Sequence, residues 1–381
     1  MVQPFTLLIK PAGPDCNLAC RYCFYTPKKT LFPDSPCRMS EAVLETLCKQ
    51  YFQLRFPMNA FAWQGGEPTL MGLDFYKKAV HFQAQYRTQE QSVQNTFQTN
   101  AVLIDDNWCR FFAEHNFLLG ISLDGPQEIH DFYRKDHAGR GTYSRVLRAI
   151  DCCRKAAVEF NILVLLSDRN ITEPDLLFDF FTAQGFTFLQ LVPCFEIDPD
   201  NPPQPASWSI TAEQYGRFLC RFFDRWRDGW TERLSVRTFD NFINVLAGGP
   251  PAECIFGRLC SDYLVIEHDG SAYCCDFFVT PETRLGSLLD TPLEQLAASP
   301  VKQNFIRRKR RIADSCLVCR YLDLCGGGCL KDRIPLTGTE KTPSYFCRAY
   351  KMFLDHALPH LRALAASAVQ KLRKQPSSAK R

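Results

Sequence analysis

Eleven of the nineteen cysteines in this 381-residue chain fall into three groups whose spacing suits iron–sulfur ligation. The first is Cys16-x3-Cys20-x2-Cys23, between a strand-like apolar segment at 5–10 and a helix-like stretch. Three thiolates occupy three irons of a [4Fe–4S] cluster and leave the fourth iron open, so a small molecule can bind there and be reduced. Four thiolates leave no open iron, and a cluster held that way suits electron transfer. The other eight proposed ligands lie between 254 and 347: Cys254-x5-Cys260 ahead of Cys274-Cys275, then Cys316-x2-Cys319-x5-Cys325-x3-Cys329 with a later Cys347. Structural zinc is the competing reading, since C-x2-C pairs also build four-cysteine zinc sites. Disulfides are a poorer one. The cysteine total is odd, no apolar h-region follows a basic N-terminal stretch, and a reducing cytoplasm keeps thiols free.

These ligands need a scaffold that points them at one place. Residues 1 to about 230 alternate strand candidates (5–10, 60–64, 96–99, 118–123, 161–166, 188–192) with helix candidates (41–56, 74–89, 106–114, 142–157, 173–183). Ser40, Asp105 and Thr172 stand where N-caps are expected. Six strands with five intervening helices imply a parallel sheet with right-handed crossovers. Periodicity does not separate an open barrel from a flat sheet. Either way the strands' C-terminal ends share one rim. The first cysteine group, Gly65-Gly66-Glu67-Pro68, Gln98-Thr99-Asn100, Ser122-Leu123-Asp124-Gly125 and Pro193-Cys194 all lie there.

Cys16-x3-Cys20-x2-Cys23 with Tyr22 inside its last arm resembles the radical S-adenosylmethionine (SAM) enzymes, and Gly65-Gly66-Glu67-Pro68 one strand later strengthens the likeness. Alone, Gly-Gly-Glu-Pro reads equally as a plain turn. In that family a turn of this type meets the amino group of SAM. By the same resemblance Ser122 and Arg134 match residues holding the carboxylate and ribose of SAM, and Tyr22 and Phe195 lie at or near the adenine. The plain alternative for Arg134 is a surface helix charge. The fold implied is a partial (β/α)6 radical SAM barrel over 1–230, followed by a SPASM domain over 231–350 and a C-terminal helix and basic tail over 351–381. The cysteine-dense region shows little regular periodicity and is expected to need metal to fold.

The later cysteines resemble the SPASM pattern. By that likeness Cys254, Cys260, Cys275 and Cys329 hold one auxiliary cluster, and Cys316, Cys319, Cys325 and Cys347 the other. Cofactors would be SAM and three [4Fe–4S] clusters. The family pairs a cysteine directly with an aspartate, here Cys275-Asp276, and the resemblance makes Asp276 the acid–base residue; by sequence alone it reads as a turn former. The remaining cysteines, Cys37, Cys48, Cys109, Cys152, Cys153, Cys194, Cys220 and Cys274, read as small buried hydrophobes. The seven histidines show no metal-ligand spacing.

Nearly the whole chain is similar to the anaerobic sulfatase-maturating enzymes, through Gln98-Thr99-Asn100, Ile121 to Gly125 and Leu189 to Cys194. The resemblance implies oxidation of a sulfatase cysteine or serine, in a Cys/Ser-x-Pro-x-Arg type motif, to Cα-formylglycine. A 5′-deoxyadenosyl radical would take a hydrogen atom from Cβ, Asp276 the thiol or hydroxyl proton, and an auxiliary cluster the electron. The alternative is a SPASM maturase forming a thioether or other crosslink in a ribosomal peptide. An electron carrier such as flavodoxin or ferredoxin, a cytoplasmic location and a monomer are expected. The proline-rich acidic loop at 198–205 is either a contact for the substrate arginine or a solvated linker.

Bulk composition excludes other classes. The net charge is only +4, with excess at Lys371, Arg373, Lys374, Lys380 and Arg381. A second basic run, Arg307 to Arg311, reads as a solvated helix face. Aromatic residues do not interleave with these charges, so nucleic-acid stacking is not expected. No apolar run approaches the roughly 20 residues that span a bilayer.

Overall fold

A computed structural model describes residues 2–33, 36–260 and 263–374. Lys380 and Arg381, and the last residues expected to be disordered, lie outside them. The chain forms two compact units, Met1–Leu163 with Ser261–Ile306, and Val164–Cys260 with Arg307–Arg381.

The first unit is built on parallel strands β1 (Thr6–Lys10), β2 (Met58–Trp63), β3 (Ser92–Thr99), β4 (Leu118–Ser122) and the start of β5 (Phe160–Leu166). Helices Glu41–Gln53, Leu73–Tyr86, Asp106–Glu114 and Tyr143–Lys155 connect them. Each strand expected in this stretch is present, usually longer at its start. Ser40 accepts from the Val43 N–H, and Asp105 accepts from Asn107 and Trp108, as capping chemistry requires. Thr172 does not cap. The next helix, Pro174–Ala183, starts with Glu173 at the cap position and no side-chain bond, because Pro174 already fixes the first helical φ.

The cysteine-dense region is more regular than its sequence suggested. Strands β8 (Tyr263–Glu267), β9 (Ser271–Tyr273) and β10 (Arg284–Ser287) run through it. They are too short to show periodicity. Strand β8 pairs parallel to β1, with Lys10 opposite Glu267, while β9 and β10 add antiparallel at that edge. The order β10-β9-β8-β1-β2-β3-β4-β5 puts the loop after β1 in the middle of the unit. Its core is apolar and aromatic, with Phe61, Trp63, Tyr76 and Phe97 fully buried.

The second unit pairs β6 (Phe188–Pro193) parallel with β7 (Ser235–Val236). Helix Ala212–Arg227 carries the Thr211–Gln214 capping box. Helix Cys347–Lys374 begins at a proposed ligand rather than beyond it. Phe223 and Phe353 pack these helices against Phe239 of the helix Arg237–Leu246, with Phe239 and Phe353 stacked at 5.2 Å.

Candidate functional site

Cys16, Cys20 and Cys23 lie on the loop that leaves β1. Gly13 N donates to Lys10 O at 2.9 Å, Cys23 N to Cys20 O at 3.1 Å, and Ala19 N to Lys135 O at 2.8 Å. The end of β2 is bound to the same loop, with Gly66 N to Gly13 O and Glu67 N to Asp15 O, both 2.8 Å. Glycine is needed here for contact: a Cβ on Gly66 would lie 1.9 Å from the Asp15 carbonyl oxygen.

Glu67 is fully buried and both its oxygens are used. Oε1 accepts from Thr69 N (3.0 Å), Thr69 Oγ1 (2.7 Å) and Thr99 Oγ1 (2.8 Å), and Oε2 from Asn100 N (2.8 Å). Burial still raises its pKa. Glu67 therefore ties the ends of β2 and β3 together. It also places Asn100, whose Nδ2 donates to Asn17 Oδ1 at 2.8 Å and lies 3.7 Å from Cys16 Sγ.

Arg134 is not a surface charge. Its Nε and Nη2 meet the two oxygens of Asp124 at 2.8 and 3.1 Å, in a pair 11% and 5% exposed. Burial alone would raise the Asp124 carboxyl, but the guanidinium holds it below the ordinary carboxylate value. Tyr22 donates its hydroxyl to the same carboxylate, and its ring packs edge-on to Tyr133 at 5.2 Å. Ser122 Oγ accepts from Gln98 Nε2 at 3.4 Å. Tyr22, Gly65, Gly66, Glu67, Ser122 and Arg134 thus belong to the same unit as the three cysteines. Phe195 belongs to the second unit, where it stacks on Tyr345 at 4.1 Å.

Burial pushes the Cys16 and Cys20 thiols up to about 12, so each releases a proton when metal binds. Four thiols of the second unit, Cys316, Cys319, Cys325 and Cys347, line one pocket with Gly327 and Gly328. Among the described residues no three Cys, His, Asp or Glu side chains converge as ligands of a single ion do. Thiols set around a cavity match a cluster's span. Cys254, Cys260 and Cys329 are also in the second unit, and Cys275 is in the first.

Asp276 follows β9 and is 8% exposed. Its Oδ1 accepts from the Tyr263 hydroxyl at 3.1 Å, and its Oδ2 lies 3.8 Å from Lys10 Nζ. Lys10 is 1% exposed and sits over the Tyr25 ring, 4.2 Å from its centroid. Tyr25 in turn donates to Glu267 Oε1, while Glu267 Oε2 has no partner. On the far side, Lys302 Nζ binds the carbonyls of Tyr263 and Cys274. A turn-forming aspartate has no need of this buried setting. Sequence reasoning missed Lys10, Tyr25, Tyr263, Glu267 and Lys302. The available signal was a charge closing each of two apolar strands, Lys10 after Leu7-Leu8-Ile9 and Glu267 after Leu264-Val265-Ile266.

Burial raises Glu267 from 4.5 to about 7. The folded protein therefore holds a proton that the unfolded chain loses, and this contribution is full below pH 4.5 and lost as pH rises through 7. Glu267→Gln should flatten the decline and leave the protein more stable at pH 8, by up to about 3 kcal/mol. Anaerobic unfolding curves at pH 5 and pH 8 check this; equal pH slopes for the two proteins would rule it out.

Residues 11–181 match the family model for the radical SAM superfamily, and residues 254–320 that for the iron–sulfur cluster-binding domain SPASM. The chain is 35% identical over 364 residues to the cysteine-type anaerobic sulfatase-maturating enzyme of Clostridium perfringens, covering 94% of this chain and 98% of that one. It is 33% identical to the serine-type enzyme of Bacteroides thetaiotaomicron, with 94% and 91% covered. Among solved structures, native anSMEcpe with bound AdoMet superposes with a TM-score of 0.89 at 34% identity, covering 95% of this chain and 100% of that one. The same protein with AdoMet and the Kp18Cys peptide gives 0.90, with 96% and 100% covered.

Proposed function

The chain belongs to the anaerobic sulfatase-maturating enzymes of the radical SAM superfamily, and on that premise we propose that it oxidises a cysteine or serine of a sulfatase to Cα-formylglycine. The observation that carries this reading is Asp276, a buried carboxylate held between Lys10 and Tyr263 in the unit that also bears the three-cysteine loop.

Cys16, Cys20 and Cys23 hold the SAM-binding cluster. Tyr22, Gly65, Gly66, Glu67, Ser122, Arg134 and Phe195 form or support the SAM site. By family resemblance Cys254, Cys260, Cys275 and Cys329 hold one auxiliary cluster, and Cys316, Cys319, Cys325 and Cys347 the second. When bound, SAM would supply the hydrogen-atom acceptor for the substrate Cβ, and the auxiliary clusters would supply an electron acceptor. The protein does the rest. Asp276 accepts the substrate thiol or hydroxyl proton at a carboxylate oxygen. Tyr263 and Lys10 hold that carboxylate in place. Phe24 and Phe277, packed at 4.7 Å, give the neighbourhood an apolar wall against water.

The functional modules are a SAM-binding region to about residue 230, an auxiliary-cluster region to about 350 and a C-terminal helix with a basic tail. The substrate is a sulfatase segment of the Cys/Ser-x-Pro-x-Arg type. A flavodoxin or ferredoxin supplies electrons to the monomeric enzyme in the cytoplasm. Among the described residues no helix is long and apolar enough to cross a membrane.

The test is anaerobic. Reconstituted, dithionite-reduced protein is mixed with SAM and a peptide carrying Cys-x-Pro-x-Arg, or its serine counterpart. Formylglycine formation lowers the mass by about 18 Da from cysteine and about 2 Da from serine. SAM cleavage with both peptides unchanged would overturn the sulfatase assignment and favour a peptide-crosslinking maturase.

A further inference from the structure

Arg333 has one side-chain nitrogen that the protein leaves without an acceptor. The residue is 1% exposed, so water does not fill the gap. Its two Nη atoms are satisfied by backbone carbonyls: Lys309 O (3.2 Å from each), Gly328 O (3.0 Å), Arg311 O (3.3 Å) and Glu340 O (3.4 Å). Its Nε–H is buried with no partner. A stranded donor on a charged group is costly, and native proteins seldom carry one without a reason.

Its surroundings supply the reason. The thiols of Cys329 and Cys260 lie close enough to the guanidinium to interact with it electrostatically, as does Cys316 of the other set, and the carbonyl of Gly328 that it grips belongs to the peptide leading into Cys329. A second buried cation lies beside Cys254, Cys260 and Cys329. Lys309, 2% exposed, donates its Nζ to the carbonyls of Cys254 and Ile255 and feels the thiols of Cys254, Cys329 and Cys260. Lys309 belongs to the basic run expected on a solvated helix face. Its neighbours Arg307, Arg310 and Arg311 are exposed, whereas Lys309 turns inward because backbone carbonyls await it.

We propose that Arg333 donates its Nε–H to a sulfur of the auxiliary cluster that Cys254, Cys260 and Cys329 help to hold, and with Lys309 sets that cluster's reduction potential. This rests on the ligand assignment given above. One-electron reduction adds a negative charge to the cluster. A fixed guanidinium and an N–H···S bond favour the reduced form, so the potential is raised. The electron comes from oxidation of the substrate residue, and a higher potential draws it off. Arg333 is a positioning and tuning residue, since it does not touch the substrate.

The decisive experiment keeps Arg333 intact. The Cys16→Ala/Cys20→Ala/Cys23→Ala protein, labelled with ¹⁵N-arginine and reduced by dithionite, leaves only auxiliary clusters to be read by pulsed electron paramagnetic resonance. A ¹⁵N coupling to an auxiliary cluster is expected, and its loss in Arg333→Lys identifies the residue. Redox titration should then find reduction about tenfold less favourable in Arg333→Met, a 59 mV fall for a one-electron couple, with Arg333→Lys between. If Arg333→Met does not fold, the labelled protein still decides. Iron near eight per chain with no ¹⁵N coupling would overturn the inference and leave the ligand assignment standing. Iron well below that would overturn the ligand assignment, and the inference with it.

Discussion

Asp276→Asn is expected to cleave SAM yet lose formylglycine formation by about 10²–10⁴-fold, the usual contribution of a positioned general base. The amide has the same shape and can still accept from the Tyr263 hydroxyl. What it lacks is the charge that pairs with Lys10 and the basicity to take a substrate proton. Lys10 would then be a buried ammonium, 1% exposed, that has lost its ion-pair partner and keeps the Tyr25 ring and the more distant Glu267. The ratio of modified peptide to 5′-deoxyadenosine separates this from a general loss of folding, because an unfolded protein would not cleave SAM. If modified peptide keeps pace with SAM cleavage in the variant, another group accepts the proton.

The second large effect is expected at Glu67. Its carboxylate accepts four hydrogen bonds from Thr69, Thr99 and Asn100 in a site with no access to water. Glu67→Gln turns one acceptor into a donor. At least one N–H or O–H is then left facing another donor, at a cost of about 1–3 kcal/mol. Glu67→Leu strands all four donors and should cost several times as much. The loss falls on function as well as stability. Asn100 is held by Glu67 and reaches the Cys16 loop through Asn17, while the Glu67 N–H itself binds Asp15 O. SAM binding should weaken in the order wild type, Gln, Leu, parallel to the unfolding temperature of the reconstituted protein. Full SAM affinity in the Leu variant would show that the turn keeps its shape without the carboxylate.

The cysteine motifs, the glycine turn and the six alternating strands were legible in the sequence because each is local. A cluster dictates thiol spacing within a few residues of one loop, close packing against a carbonyl demands glycine, and a parallel strand between helices writes its burial as an apolar run. What the tertiary structure alone decided is which charges are buried and against what. Lys10 faces Glu267 across 256 intervening positions, Lys309 reaches back to Cys254, and Arg134 is a caged partner of Asp124 rather than a helix charge. A lysine closing an apolar strand, or sitting in a basic run, has the same sequence signature exposed or buried. Strands β8 to β10 were hidden for a related reason. They are three to five residues long, and pairing with β1 and with one another, rather than their own pattern, makes them strands. Ligand type and spacing are therefore properties of a segment, whereas a carboxylate's ionisation and a cluster's surroundings depend on groups brought together only when distant segments fold.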